Sequence, residues 1–456
     1  MGYRQIIFYI SLIFLILTSS TLMAEDDVET FKVKGYFKTY TTISDVSGFM
    51  AMKSEQTIDE EDKYNKYLIG TILNIVKLDL KWLPSEIFSF NAAYELNLPI
   101  QAAFGQRMSS SKDAIEIPYV DPMLILPTFR PFQRTEADIR NYRIFDLRHK
   151  MHNFDRAVIT ISPSFGDIYI GRQAITFGSA HVISPVDILL PASKTSLSTE
   201  ERSGVDAIRI RIPTGNMSEL DMGFVGGEGL DWSNNAAFFR SRLYFLDTDI
   251  ILTVMDFREN LLLGLELARS IGGAGFWFET AYTYAGAFSV SNHKEDYLRL
   301  STGLDYKLLN SVYAFMEYHH NGAGKSNPKD YVDFINKGKD EDKFYNVTAY
   351  ELGGVYLLGQ HYIIPGITLE LTTLIGSSIQ CFINLNDISM LFAPTLSYSI
   401  SENIMLGAGA FINSGSYSKT EIKTDKNKKI SELNIETNSE FNLYPDTYFM
   451  SIMIYF

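Results

Sequence analysis

The residues able to do chemistry do not converge in this sequence. Ser179, His181 and Asp187 supply the groups of a nucleophile, a base and an orienting acid. A triad needs those groups fixed at hydrogen-bond distance, and closeness along one loop-like stretch supplies no such geometry. His149-x-x-His152 has the spacing of a metal pair on a helix, but the stretch reads as loop and no Cys or third ligand stands nearby. His319 and His320 are neighbours in a strand-like run, so they point to opposite faces and do not chelate together. Gly226-Gly227-Glu228-Gly229 has no helix after it, so it is no phosphate cradle. Cys381 is the only cysteine and reads as a wall residue; no internal disulfide is available. The Lys-rich run Lys423–Lys429 reads as a solvated loop face. The expectation is a chain with no catalytic residues, no metal and no cofactor, and not an enzyme.

What does recur is charge at period two. Arg156 alternates with Ala157, Ile159 and Ile161. Arg209 and Arg211 alternate with Ile208, Ile210 and Ile212. Arg240 and Arg242 alternate with Phe239, Ser241 and Leu243. Glu266, Glu279, Glu317 and Glu370 follow the same rule further along. Period two belongs to strands, with one apolar and one polar face.

The elements that would carry these charges fill the chain. Val76, Leu78, Leu80 and Trp82 alternate with Lys77, Asp79 and Lys81, and the run back over Glu86–Leu98 alternates likewise. The last stretch, Asp446–Phe456, places Tyr448, Met450, Ile452, Ile454 and Phe456 on one side. Counting such runs from Phe31 gives about eighteen strands. Among them, Tyr345–Leu358 is the fourteenth and Gly366–Ile383 the fifteenth, with a turn near Gln360–Pro365. Every second connection is short, and the long ones fall on the opposite side. A terminal aromatic strand, an even count and alternating loop lengths point to an all-β fold. It is a transmembrane antiparallel β-barrel with short periplasmic turns and long extracellular loops, which leaves no strand edge in lipid.

Composition agrees. No internal run reaches the roughly 20 apolar residues of a spanning helix. The 27 Tyr and 31 Phe suit interfacial girdles. Met1–Ala24 reads as a signal peptide: Arg4, an apolar core over Ile6–Leu17, then small residues. The barrel then occupies residues 25–456, with no separate plug domain before its first strand. A net charge of −14 disfavours nucleic acid as a partner.

The run Gly171-Arg172-Gln173, Phe177-Gly178, Pro185-x-Asp187 and Gly204-Val205-Asp206-Ala207, with a fainter echo in Tyr142–Arg156, resembles a broad group of poorly characterised porin-like outer-membrane barrels of Gram-negative bacteria. The resemblance implies a diffusion channel for small polar solutes. The closing strand and Phe456 resemble the signal by which the barrel-assembly machinery recognises such chains. Diffusion porins are commonly trimers, and no interface for a homotrimer is legible here.

In a barrel of this size the lumen is aqueous, and an inward loop narrows it. Phe177–Glu201 is expected to be that loop, placing Asp187, Glu200 and Glu201 in the pore; Pro99–His152 competes for the role. Arg156, Arg209, Arg211, Arg240 and Arg242 should face the lumen, since an Arg toward lipid costs roughly 2–4 kcal/mol at mid-depth. Glu266, Glu279, Glu317 and Glu370 should oppose them across the pore, setting up a transverse field. The function expected is an outer-membrane porin for passive diffusion of small polar or charged solutes. An outer-membrane lipase or protease and a loop-based adhesin or scaffold are the alternatives.

Overall fold

The computed structural model describes residues 30–45, 67–105, 152–189, 204–289, 295–331, 349–350, 354–416, 419–424 and 430–456. Glu200, Glu201, His149, the signal-like Met1–Ala24 and most of the Pro99–His152 stretch lie outside them.

Alternating apolar and polar residues give strands β1 (Phe31–Asp45), β2 (Tyr67–Trp82), β3 (Phe88–Gly105), β4 (His152–Ile161), β5 (Asp167–Gln173), β6 (Val205–Gly215), β7 (Ser218–Val225), β8 (Ala236–Phe245) and β9 (Thr248–Phe257). The meander continues through β10 (Asn260–Ile271), β11 (Ala274–Tyr284), β12 (Tyr297–Leu309), β13 (Val312–Asn321), β14 (His361–Glu370), β15 (Ile375–Asn384), β16 (Ser389–Ser401) and β17 (Ile404–Ser414). A separate hairpin, β18 (Lys419–Thr424) with β19 (Ile430–Glu436), precedes the last strand β20 (Asp446–Tyr455).

Each barrel strand pairs antiparallel with its neighbour, and β20 pairs with both β17 and β1, so the 18-stranded sheet closes on itself. At the seam Gly35 and Phe456 exchange both backbone hydrogen bonds, at 2.9 and 3.0 Å. A Cβ on Gly35 would meet the Phe456 ring at 2.8 Å, so glycine is required there.

The pleat sorts side chains as the sequence expects. On β2, Lys77 and Ile75 face in, while Leu68, Ile72 and Trp82 are exposed outside. Phe239, Leu243, Leu252, Val254, Leu263, Leu304 and Met316 continue the exposed outer belt. Trp82 and Phe88 meet edge to face near the short-turn end, and Tyr282 and Tyr284 near the other. An apolar band between aromatic rims is the surface that lipid demands. Connections at one end are two to five residues long, from 246–247 to 162–166. The opposite end carries the long ones, including 46–66, 106–151, 174–204, 322–360 and 415–445.

The sequence reading needs correction in one hairpin. Gly354–Leu358, the described end of the expected fourteenth strand, is loop; β14 begins at His361 and passes through Pro365. The ladder to β15 skips Ile364 and Pro365, so the missing proline N–H falls in a gap and does not stop the strand. The true turn is 371–374. There the Thr372 hydroxyl accepts the N–H groups of Leu374 and Ile375. Pro99 likewise lies inside β3, in register with Leu73.

Candidate functional site

The inner face of β4 to β8 carries the arginines. On β6, Arg209 makes a two-bond pair with Asp221 of β7 (2.8 and 2.6 Å), and Arg211 a similar one with Glu219. On β8, Arg240 reaches Glu266 of β10, hydrogen-bonds Thr253, and lies 4.3 Å over the Phe177 ring. Arg242 is exposed beside it. A bulge between Ala93 and Tyr94 leaves Asp155 unmatched in the ladder; it meets Lys77 at 3.0 Å, and Arg156 stays in register opposite Ala93. A cavity of about 700 Å³ opens at the short-turn end of this wall. Lys32, Lys34, Lys81, Arg156, Arg209 and Arg211 line it, with Asp79 the only carboxylate among its lining residues.

The far wall works differently. Residues 174–189 leave β5, turn into the barrel and bind to β11 and β13. Glu279 accepts the N–H groups of Ser179, Ala180 and Val186, each at 3.0 Å, and the Ser184 hydroxyl. Glu317 accepts the N–H groups of His181, Val182 and Ile183 and the Trp277 indole N–H. Ser301 donates back to the Ile183 carbonyl. A loop taken from water must find partners for its backbone donors. Two carboxylates supply them here without any strand pairing. The loop's apolar residues Ile175, Phe177, Val186, Ile188 and Leu189 pack on Val205, Val225, Phe238, Met255 and Leu262. Gly178 sits at φ +103°, where a Cβ would meet the Ser184 hydroxyl at 2.0 Å. His181 lies flat on Trp277 (3.9 Å between centroids), with Nε2 3.5 Å from Asp305 and Nδ1 3.3 Å from the Tyr313 hydroxyl.

A third carboxylate ties the long-loop end. Glu440 accepts hydrogen bonds from the Leu358 N–H, the Tyr362 hydroxyl and the Asn384 amide. Its own N–H donates to Asp387. Burial pushes Glu440 up to about 7, against the Tyr362 and Leu358 hydrogen bonds that favour the carboxylate. Burial likewise raises Asp387.

These placements revise the expected acidic wall. Glu279 and Glu317 are fully buried and Glu266 is 1% exposed, so none presents a carboxylate to the lumen. They lie on the inner phase of their strands, and the covering loop and Arg240 take up the charge. Asp187, at 4% exposure, accepts the Phe177 N–H and is no open pore carboxylate. Glu370 is exposed at the short-turn end, on the inward phase of β14. Ser179, His181 and Asp187 are not brought together: His181 faces Asp305, Asp187 turns to Phe177, and the buried Ser179 hydroxyl has no hydrogen-bond partner. His319 faces in and His320 out, and Cys381 lies on the outer wall. Among the described residues no three His, Cys, Asp or Glu side chains form a metal-ligand set.

The motif-like residues turn out to be a structural clip. Arg172 pairs with Asp206 through two bonds and reaches the Phe154 carbonyl; Gln173 reaches the Ala207 carbonyl. A Cβ on Gly171 would meet the Ala157 carbonyl oxygen at 2.2 Å, and one on Gly204 the Asp155 oxygen at 2.4 Å. Sequence reasoning missed the partners Glu219 and Asp221, although their period-two spacing on β7 mirrors Arg209 and Arg211. It also missed Glu440, which stands in a loop where no periodicity marks it.

No family model matches the chain, and no curated protein does. Among solved structures it is similar to OprD of Pseudomonas aeruginosa, at 7% identity and a TM-score of 0.49, over 94% of this chain and 93% of that one. It is similar to P. aeruginosa OccK5 (OpdH), at 6% identity and 0.47, over 94% and 99%. It is also similar to P. aeruginosa OpdK, solved with vanillate, at 8% identity and 0.46, over 94% and 100%.

Proposed function

We propose that this protein is an outer-membrane channel of a Gram-negative bacterium, carrying small polar or charged solutes by passive diffusion. One observation carries the reading: the barrel is closed, apolar outside and charged inside, with a basic recess beside a loop folded into its lumen. A lipid-facing exterior fixes the solvent in which such a barrel lies. A wet wall with fixed charge selects solutes by size and sign. Arg156, Arg209, Arg211 and Arg242 are the wall residues assigned to contact solutes, and the 174–189 loop sets the width.

Export through Met1–Ala24 and assembly through Phe456 belong to the same reading. Phe456 closes the ladder onto Gly35, so its deletion should lower the yield of folded barrel far more than deletions within Ser414–Tyr444. The direct test is conductance and reversal potential of the full chain, refolded and inserted into planar bilayers. Stable steps of ionic current with a salt-dependent reversal potential are expected. A barrel that is folded by its heat-shifted gel mobility yet carries no current overturns the proposal.

A further inference from the structure

Several inward-facing cations of the wall sit against a carboxylate. Lys77 meets Asp155 at 3.0 Å, Arg172 meets Asp206 at 2.7 Å, Arg209 meets Asp221 at 2.6 Å, and Arg240 meets Glu266. Arg299, on the inner face of β12, is 3% exposed. No carboxylate oxygen of the described residues lies within ion-pair distance of it. Its hydrogen bond runs from Nη1 to the Pro185 carbonyl at 3.5 Å, and its Nε is buried with no acceptor.

A guanidinium stays charged in any protein and offers five donors in a fixed fork. Burying that charge without an opposing one is costly, and the donors left over need acceptors. Among the described residues the surroundings supply one long carbonyl contact and no carboxylate at ion-pair distance. Its in-register neighbours are Ala281 on β11 and Asn321 on β13. The Asn321 amide already donates to the Leu357 and Gly359 carbonyls. Tyr297, Tyr356, Tyr350 and Glu279 are within its electrostatic reach, and so is His319. Both Glu279 oxygens are taken by the loop. Protonated tyrosines contribute no negative charge, and the Tyr350 hydroxyl already donates to the Leu357 carbonyl.

We propose that Arg299 holds a small monovalent anion of halide size, enclosed between β12 and the 183–186 segment that crosses it. Its burial excludes a solute-sized carboxylate. Because the loop forms one side of the enclosure, the anion binds only the form with the loop in place and stabilises it by mass action. The site is independent of whether solutes cross the barrel.

The probe is bromide, exchanged for gluconate at fixed ionic strength and pH, with full-length refolded protein. The unfolding midpoint of the wild type should rise with bromide and saturate, and that dependence should vanish in Arg299→Met. Wild-type crystals in bromide should show an anomalous peak in contact with the guanidinium. An equal bromide dependence in both proteins, or bromide found only at surface lysines, overturns the proposal. If Arg299→Met does not refold, the wild-type anomalous map decides alone.

Discussion

Two walls of one barrel use the same kind of residue in opposite ways. On β6 and β7, Arg209 and Arg211 face Asp221 and Glu219 across a single strand gap; the Arg211 pair is partly open, and the Arg209 side chain keeps 16% of its surface exposed. On β11 and β13, Glu279 and Glu317 are fully buried and spent on backbone N–H groups of a loop that arrives from β5. Facing inward therefore does not define a pore charge. What covers the side chain decides whether it acts on solutes or on the fold.

The comparison breaks most readily at the clamp. Glu279→Ala with Glu317→Ala removes the acceptors of six backbone N–H groups, a hydroxyl and an indole. Each buried donor left unpaired costs about 1–3 kcal/mol, so the loop should leave the wall before those costs accumulate. The strand ladder does not depend on it. Single-channel conductance should rise and protease should cut within 177–189, while the barrel stays folded. Unchanged conductance with a cut loop would mean that the loop does not narrow the path.

Glu440 sharpens the comparison with a titration. Its acid form is favoured in the folded state, from 4.5 up to about 7. The sign follows: between pH 4.5 and 7 the folded state binds more protons than the unfolded one, so stability falls as pH rises through that window and levels off above it. The full span is on the order of 3 kcal/mol, from about 1.4 kcal/mol per unit. Glu440→Gln should flatten this dependence in denaturant unfolding measured at several pH values. A slope unchanged in the variant would assign the titration to another group, with the raised Asp387 the first candidate.

The barrel was legible because its physics is local. Alternation in β2 and β20, and the parity of short and long connections, depend on residues next to one another. The hairpin at 371–374 escaped because Leu371-Thr372-Thr373-Leu374 looks like strand, and Pro365 looks like a turn. For the site, phase was legible and use was not. Glu317 is held to its loop partners across 134 to 136 positions of sequence, and no pattern at period two records such a contact. Glu440 and Arg299 show the same limit from each side, one carboxylate gathering distant donors and one guanidinium with no carboxylate of the described residues at ion-pair distance.

The smallest effect tests the open wall. Asp221 and Arg209 form a neutral pair, so each single replacement uncovers one charge beside the recess. Arg209→Ser should move the reversal potential in a salt gradient toward cations, and adding Arg211→Ser should move it further. Asp221→Asn should move it toward anions. Both shifts should grow at low salt, because fixed charges act over a Debye length of about 8 Å at physiological ionic strength. Replacing Lys428 and Lys429, which belong to the 415–445 connection, should do little. The paired change Arg209→Ser with Asp221→Asn removes no net charge and should leave selectivity near that of the wild type. This null result separates the walls. If the pair acts through charge on solutes, the two single shifts cancel. If the pair acts through structure, as Glu279 and Glu317 do, the double variant should alter conductance as well, and the distinction between the walls fails.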